Sequence, residues 1–234
     1  MHKNTNIISK INPLLHIFRR DVVYNIYFCK NKAYMSYSEI ETHPFPPFLP
    51  SNAKILMLGT FPPQPSRWSM EFYYPNKIND MWRIMGIIFF DDKNHFWNEH
   101  SKSFKLEEIK SFLNEKGIAL YDTGVKIRRL KGNASDKFLE IVEPINLNYV
   151  LEIRPSISAI ITAGEKAAQT LSDLTGTVCP KVGMSVTFSF NGLDIHHYRL
   201  PSSSRAYPLS LENKAVEYSR IFSMEGYEVF KKKI

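Results

Sequence analysis

The sequence predicts an α/β protein, with a mostly parallel sheet held between layers of helix. Three observations carry that reading. Ile55–Leu58 and Ile118–Tyr121 are short, unbroken apolar runs and Ile157–Thr162 a mostly apolar one, as expected of strands buried on both faces. Stretches with apolar residues at helical spacing separate them, so strands and helices alternate along the chain. Asn191-Gly192, set between two β-like segments, marks a tight hairpin whose turn positions need positive φ.

Taken in order, residues 1–41 read as an N-terminal extension and residues 42–234 as a single domain. Met35 is a candidate natural start, with the residues before it an upstream extension. His43–Pro50 carries four prolines, which fix φ and restrict their predecessors, so it should wrap over the body in extended form. Ile55–Gly59 is the first strand. A long loop follows, rich in aromatics and amides, then a helix from about Asn79 to Ile88. Apolar residues at 106, 109, 112 and 113 predict a helix over Leu106–Glu115, stopped by Gly117. Ile118–Tyr121 is the second strand and ends in Asp122. Asp136–Val142 and Leu147–Ile153 read as helices separated by Pro144. Ile157–Thr162 is the third strand, Gly164–Leu171 a short helix, Val186–Phe190 and Leu193–Arg199 the hairpin arms, and Leu211–Met224 the closing helix.

The 234 residues are 44% hydrophobic and 23% charged, values of an ordinary globular chain long enough for a substantial core. The net charge of +7 suits a polyanionic partner. Lys231-Lys232-Lys233 reads as a solvated tail. Two cysteines, Cys29 and Cys179, exclude a four-cysteine zinc or iron–sulfur site from this chain alone and give no disulfide framework. With no apolar run long enough to span a membrane, the expectation is a cytoplasmic monomer without cofactor or metal. No GxSxG elbow and no GxGxxG or GxxxxGK[ST] phosphate loop occurs.

In a parallel sheet the carboxyl ends of the strands share an edge, so the loops Gly59–Asp80, Asp122–Arg129 and Ser202–Arg205 should converge, with Ala163–Lys166 beside them. At that edge the residues resemble a family. Gly59–Pro63, the Tyr73-Tyr74 pair and Asn79-x-x-Trp82 are similar to the first motif of the uracil-DNA glycosylase superfamily, closest to its hypoxanthine-DNA glycosylase-like branch. Gly117–Asp122 with Arg128-Arg129 and Gly132–Asp136 resembles the second block, Ile160–Lys166 the third strand and helix start, and Leu200–Ala206 the proline-serine DNA loop. The resemblance spans about Thr42 to Phe222. It implies a four-stranded parallel sheet between helices. It also implies an enzyme that flips a damaged base, hypoxanthine or uracil, from DNA and hydrolyses its N-glycosidic bond. The alternative is a lesion-DNA binding protein of the same fold without turnover.

By the same resemblance Asn79 orients the water, because Phe61 stands where many members carry a water-activating Asp or Asn. Neighbouring Asp80 is the reserve base. Gly59, Thr60, Phe61, Tyr73, Tyr74 and Asp122 form the base pocket, with one of the three aromatics stacking on the base. Asp122 replaces an amide and, when ionised, only accepts hydrogen bonds, so it favours a base edge with N–H donors. Ser202, Ser203, Ser204 and Arg205 press on the DNA backbone, and Lys126, Arg128, Arg129 and Lys131 form a basic track. Pro63 replaces a glycine of the branch and Leu200 a frequent histidine. His196 and His197 alternate to opposite faces of a strand and read as packed or surface residues.

Overall fold

The structure, a computed structural model, describes residues 39–130 and 136–230, and the backbone of 16–19, 22–29 and 32–37. Lys131 and Lys231–Lys233 lie outside these residues. β1 (His16–Arg19), β2 (Val22–Cys29) and β3 (Lys32–Tyr37) form an antiparallel ribbon in which Met35 pairs with Ile26. β4 (Ile40–Thr42) then leads into the proline-rich stretch. That stretch wraps as expected: Phe48 exchanges both backbone hydrogen bonds with Leu120, at 3.0 and 2.9 Å, and so occupies the open edge of the main sheet.

The chain continues through β5 (Ile55–Gly59), α1 (Met81–Phe90), the two-residue strands β6 (Trp97–Asn98) and β7 (Ser103–Phe104), and α2 (Leu106–Lys116). β8 (Ile118–Asp122), β9 (Gly124–Arg129), β10 (Leu139–Pro144), α3 (Leu147–Ile153), β11 (Ala159–Ala163) and α4 (Glu165–Thr175) follow. The hairpin arms β12 (Ser185–Phe190) and β13 (Leu193–Leu200) and the closing helix α5 (Leu211–Met224) complete the fold. The main sheet runs β12-β13-β11-β5-β8, with β13, β11, β5 and β8 parallel and β12 antiparallel at the edge. The four parallel strands are the expected ones, and the first hairpin arm adds a fifth. All residues of β5, β8 and β11 are buried, as strands covered on both faces must be. α2 packs on β8, α4 on β11 and α5 on β13, while α1 lies against α5. Among the described residues no helix is long and apolar enough to cross a membrane.

One expectation is overturned. Residues 136–142 are not a helix: a short 3-10 turn, Asp136–Phe138, leads into β10, the outer strand of a second antiparallel sheet, β10-β9-β4. The reason is tertiary. Ile141 pairs with Ile127 and Glu140 with Arg128 across β9, and β-branched residues gain more from such a partner than from a solitary helical turn.

Candidate active site

β5 and β8 end side by side, with Gly59 in register with Asp122. A Cβ on Gly59 would lie 2.4 Å from Asp122 Oδ1, so only glycine lets the carboxylate close over the strand end. Asp122 is buried, and its Oδ2 lies 3.0 Å from His43 Nε2. Nε2–H is the donor of that bond when the carboxylate is ionised. His43 Nδ1 sits 2.7 Å from the Phe45 carbonyl and 3.1 Å from its N–H, and the ring is boxed by Phe45, Phe61, Tyr73 and Tyr121. His43 thus pins Asp122 from behind. Sequence reasoning missed it because the two residues are 79 positions apart; its place at the head of the proline-rich stretch was the one available signal.

Tyr74 holds φ at 51°, a left-handed conformation uncommon for a side chain of this size. Its hydroxyl is buried beside Gly59 and has no hydrogen-bond partner among the described residues. Burial, then the charges of Asp122, Tyr218 and Asp136, push that hydroxyl well above its ordinary range, so it is a neutral donor. A buried, unpaired hydroxyl is costly unless something else accepts from it. Asp136 joins the same cluster: burial raises its carboxyl to about 6, the nearby Thr60 hydroxyl opposes this, and the Asp122 charge adds to it. Asp136 closes the second block of the sequence resemblance but was not singled out as a site residue. Thr60 is buried, and its carbonyl accepts from Gly124 N–H at 3.0 Å.

The aromatics divide. Tyr73 is fully buried and donates its hydroxyl to the Pro46 carbonyl at 2.8 Å, which makes it a wall and not a stacking platform. Phe61 is half-buried, with the Arg129 guanidinium carbon 5.5 Å from its ring centre and His43 edge-on at 5.2 Å. Trp82 is core, as expected of its helical spacing, and donates from Nε1 to the Tyr73 carbonyl.

Asn79 sits where the long loop enters α1. Its Oδ1 accepts from Met81 N–H at 2.9 Å, a tight side-chain turn just before α1, while its amide NH2 has no partner among the described residues. The next residue departs from expectation. Asp80 is buried with Oδ1 3.0 Å from Arg205 Nε and Oδ2 3.0 Å from Lys214 Nζ. With a cation on each oxygen it is a structural anion, not a free base. Lys214, itself buried, also donates to the Ser204 carbonyl at 2.8 Å, and Asp80 N–H donates to the Ser203 carbonyl. These bonds fasten the serine loop to the Asn79 loop. Within it Ser202 Oγ accepts from Ser204 N–H and Ser204 Oγ from Ala206 N–H, a pair of tight side-chain turns. Ser203 is buried, and Gly164, opening α4, lies against Ser202.

The basic track expected along β9 is not free. Lys126 pairs with Glu143 at 2.6 Å, Arg128 is buried against Glu140, and Arg129 is buried against Glu41 while donating to the Pro62 carbonyl. Their carboxylates come from β10 and β4, neighbours that spacing along β9 does not reveal. His197 is a core residue on the Thr162 hydroxyl, and burial lowers its imidazole to about 4; His196 is exposed on the opposite face. Leu200 is core.

No protein-family model matches the chain. It is 28% identical over 126 residues to the hypoxanthine DNA glycosylase of Methanosarcina barkeri, covering 53% of this chain and 72% of that protein. Its fold matches the solution NMR structure of a candidate uracil DNA glycosylase from Methanosarcina acetivorans with a TM-score of 0.52 and 23% identity, covering 81% of this chain and 100% of that one. The chain has the fold of the uracil-DNA glycosylase superfamily, and its sequence resembles the hypoxanthine-DNA glycosylase branch.

Proposed function

We propose that the protein is a monofunctional DNA glycosylase that flips a deaminated base, hypoxanthine or uracil, out of DNA and hydrolyses its N-glycosidic bond. The observation that carries this is the Asp122–His43–Tyr74 arrangement at the end of β8. Deamination turns a ring-nitrogen acceptor beside an amino group into an N–H beside a carbonyl. A pinned carboxylate accepts that N–H, and the unpaired Tyr74 hydroxyl donates to the carbonyl. Adenine and cytosine, the undamaged parents, place a lone pair against the carboxylate and are rejected. Phe61 offers the ring face away from Arg129 for stacking.

As the C1′–N bond breaks, the sugar gains oxocarbenium character and the base gains negative charge, so the nucleophile needs placing more than activation. Asn79 supplies the placing. One lone pair of Oδ1 is held by Met81 N–H, which fixes the amide, and the other accepts from a water. The water oxygen bonds C1′, the base leaves with the bonding pair, and the surplus proton passes to solvent or to the departing base. Kinship with a hypoxanthine DNA glycosylase supports the same reading.

The test is base release from oligonucleotides carrying hypoxanthine, uracil, xanthine or mispaired thymine, in single and double strands. Release of hypoxanthine or uracil without strand scission is expected. Tight binding to lesion or abasic DNA with no release from any substrate would make the protein a lesion-binding member of this fold without catalysis.

A further inference from the structure

With the β9 cations tied to carboxylates, the surplus positive charge has another place to act. A cavity of about 500 Å³ opens beside the Asn79 loop, lined by Asp80, Arg83, Lys93, Asn94, Arg205 and Lys214 and by two leucines. Four cations there face one carboxylate. Lys214 is consumed by Asp80 and the Ser204 carbonyl. Arg205 gives Asp80 only its Nε, keeps its side chain 47% exposed, and its terminal nitrogens take no partner among the described residues. Arg83 donates from Nη1 to the Lys77 and Asn79 carbonyls, at 2.8 and 3.3 Å, and no described carboxylate pairs with it. Lys93 is exposed and has no described partner; Asp91 and Asp92 precede it but do not line the cavity. Burial and then the Arg205 charge lower the proton affinity of Arg83, and Asp80 offsets this in part. One carboxylate against four cations leaves the cavity with an excess of positive charge.

We infer that this cavity is a phosphate subsite, in which Arg83, Lys93 and Arg205 hold a phosphodiester of the DNA strand that carries the target nucleotide. The inference rests on the glycosylase reading and moves the backbone contact from β9 to the cleft beside α1. Its geometry gives it a catalytic consequence. Arg83 holds the Asn79 carbonyl and Arg205 holds Asp80, so a phosphate seated on these cations bears directly on the residue that orients the water. Backbone binding energy is thereby spent on placing the nucleophile.

The experiment is equilibrium binding of the full-length protein to a duplex with a central abasic-site analogue, as a function of salt from 50 to 200 mM. Wild type, Lys93→Ala and Lys126→Ala are compared, with thermal melting to confirm folding. Loss of one phosphate contact lowers the slope of log K against log salt by about one. Lys93→Ala is expected to show that drop, and Lys126→Ala, whose charge is already paired, to keep the wild-type slope. An unchanged slope in Lys93→Ala, or a drop confined to Lys126→Ala, overturns the subsite even where the wild type still releases base. Titration with inorganic phosphate and with deoxyadenosine monophosphate separates the other source. Binding of either that is lost in Lys93→Ala, with the DNA slope unaltered, would make this a free-anion site and overturn the assignment. A wild type that neither binds DNA nor releases base overturns the subsite together with the reading it rests on.

Discussion

Asn79 and Asp80 are adjacent and chemically similar, yet their surroundings differ in kind. Asn79 keeps a free amide NH2 and a spare lone pair, whereas both oxygens of Asp80 are taken by cations. His43→Ala should unpin Asp122 and lower kcat/KM for the preferred lesion by about tenfold, close to 1.4 kcal/mol of transition-state binding, with folding retained by circular dichroism. Asp122→Asn should narrow the preference for hypoxanthine over adenine, because an amide can turn its NH2 toward a ring-nitrogen lone pair; paired release assays read this. Asp136 gives a pH signature. Its folded value of about 6 lies above the ordinary 3.8, so the stability it contributes is fully present below about pH 3.8 and is lost as pH rises through 6. The difference corresponds to roughly 3 kcal/mol as an upper bound. Asp136→Asn should therefore melt higher relative to wild type at pH 7 than at pH 4.

Among the elements, the serine loop and the start of α1 are joined by one buried ionic knot, Arg205–Asp80–Lys214. Lys214→Met removes one cation and leaves Asp80 buried with only the half-exposed Arg205. A loss of about 3 kcal/mol is expected in denaturant unfolding, along with faster proteolysis at the serine loop. How much of this was legible in the sequence follows from how local each signal is. The buried strands announce themselves because residues covered on both faces form unbroken apolar runs. The Asn79 and Ser202–Arg205 segments were legible through the family resemblance. β10 was read as helix because its pairing with β9 is invisible in its own residues. The β9 cations were read as free because Glu41, which holds Arg129, lies 88 positions away. Tyr73 was a stacking candidate until Pro46 took its hydroxyl. Tertiary partners distant in sequence decided each of these cases.

For the whole molecule, a net charge of +7 says only that a polyanion is welcome. The distribution of that charge says where. The β9 cations brace the second sheet, while Arg83, Lys93 and the outer nitrogens of Arg205 line the cavity beside Asn79 without a carboxylate of their own among the described residues. On the proposed reading, recognition and chemistry fall to two neighbouring groups of residues: Gly59, Tyr74 and Asp122 for the base, and the Asn79 amide at the head of α1 for the water. The central claim, that Asn79 places the water that cleaves the glycosidic bond, is tested most directly by single-turnover release of base from a hypoxanthine duplex. Wild type and Asn79→Ala are compared at saturating protein, with binding to the same duplex measured in parallel. The account predicts at least about a 100-fold slower release with binding changed only a few-fold. Release at the wild-type rate in Asn79→Ala would contradict it and leave the water to another group, with Asp136 the first to examine.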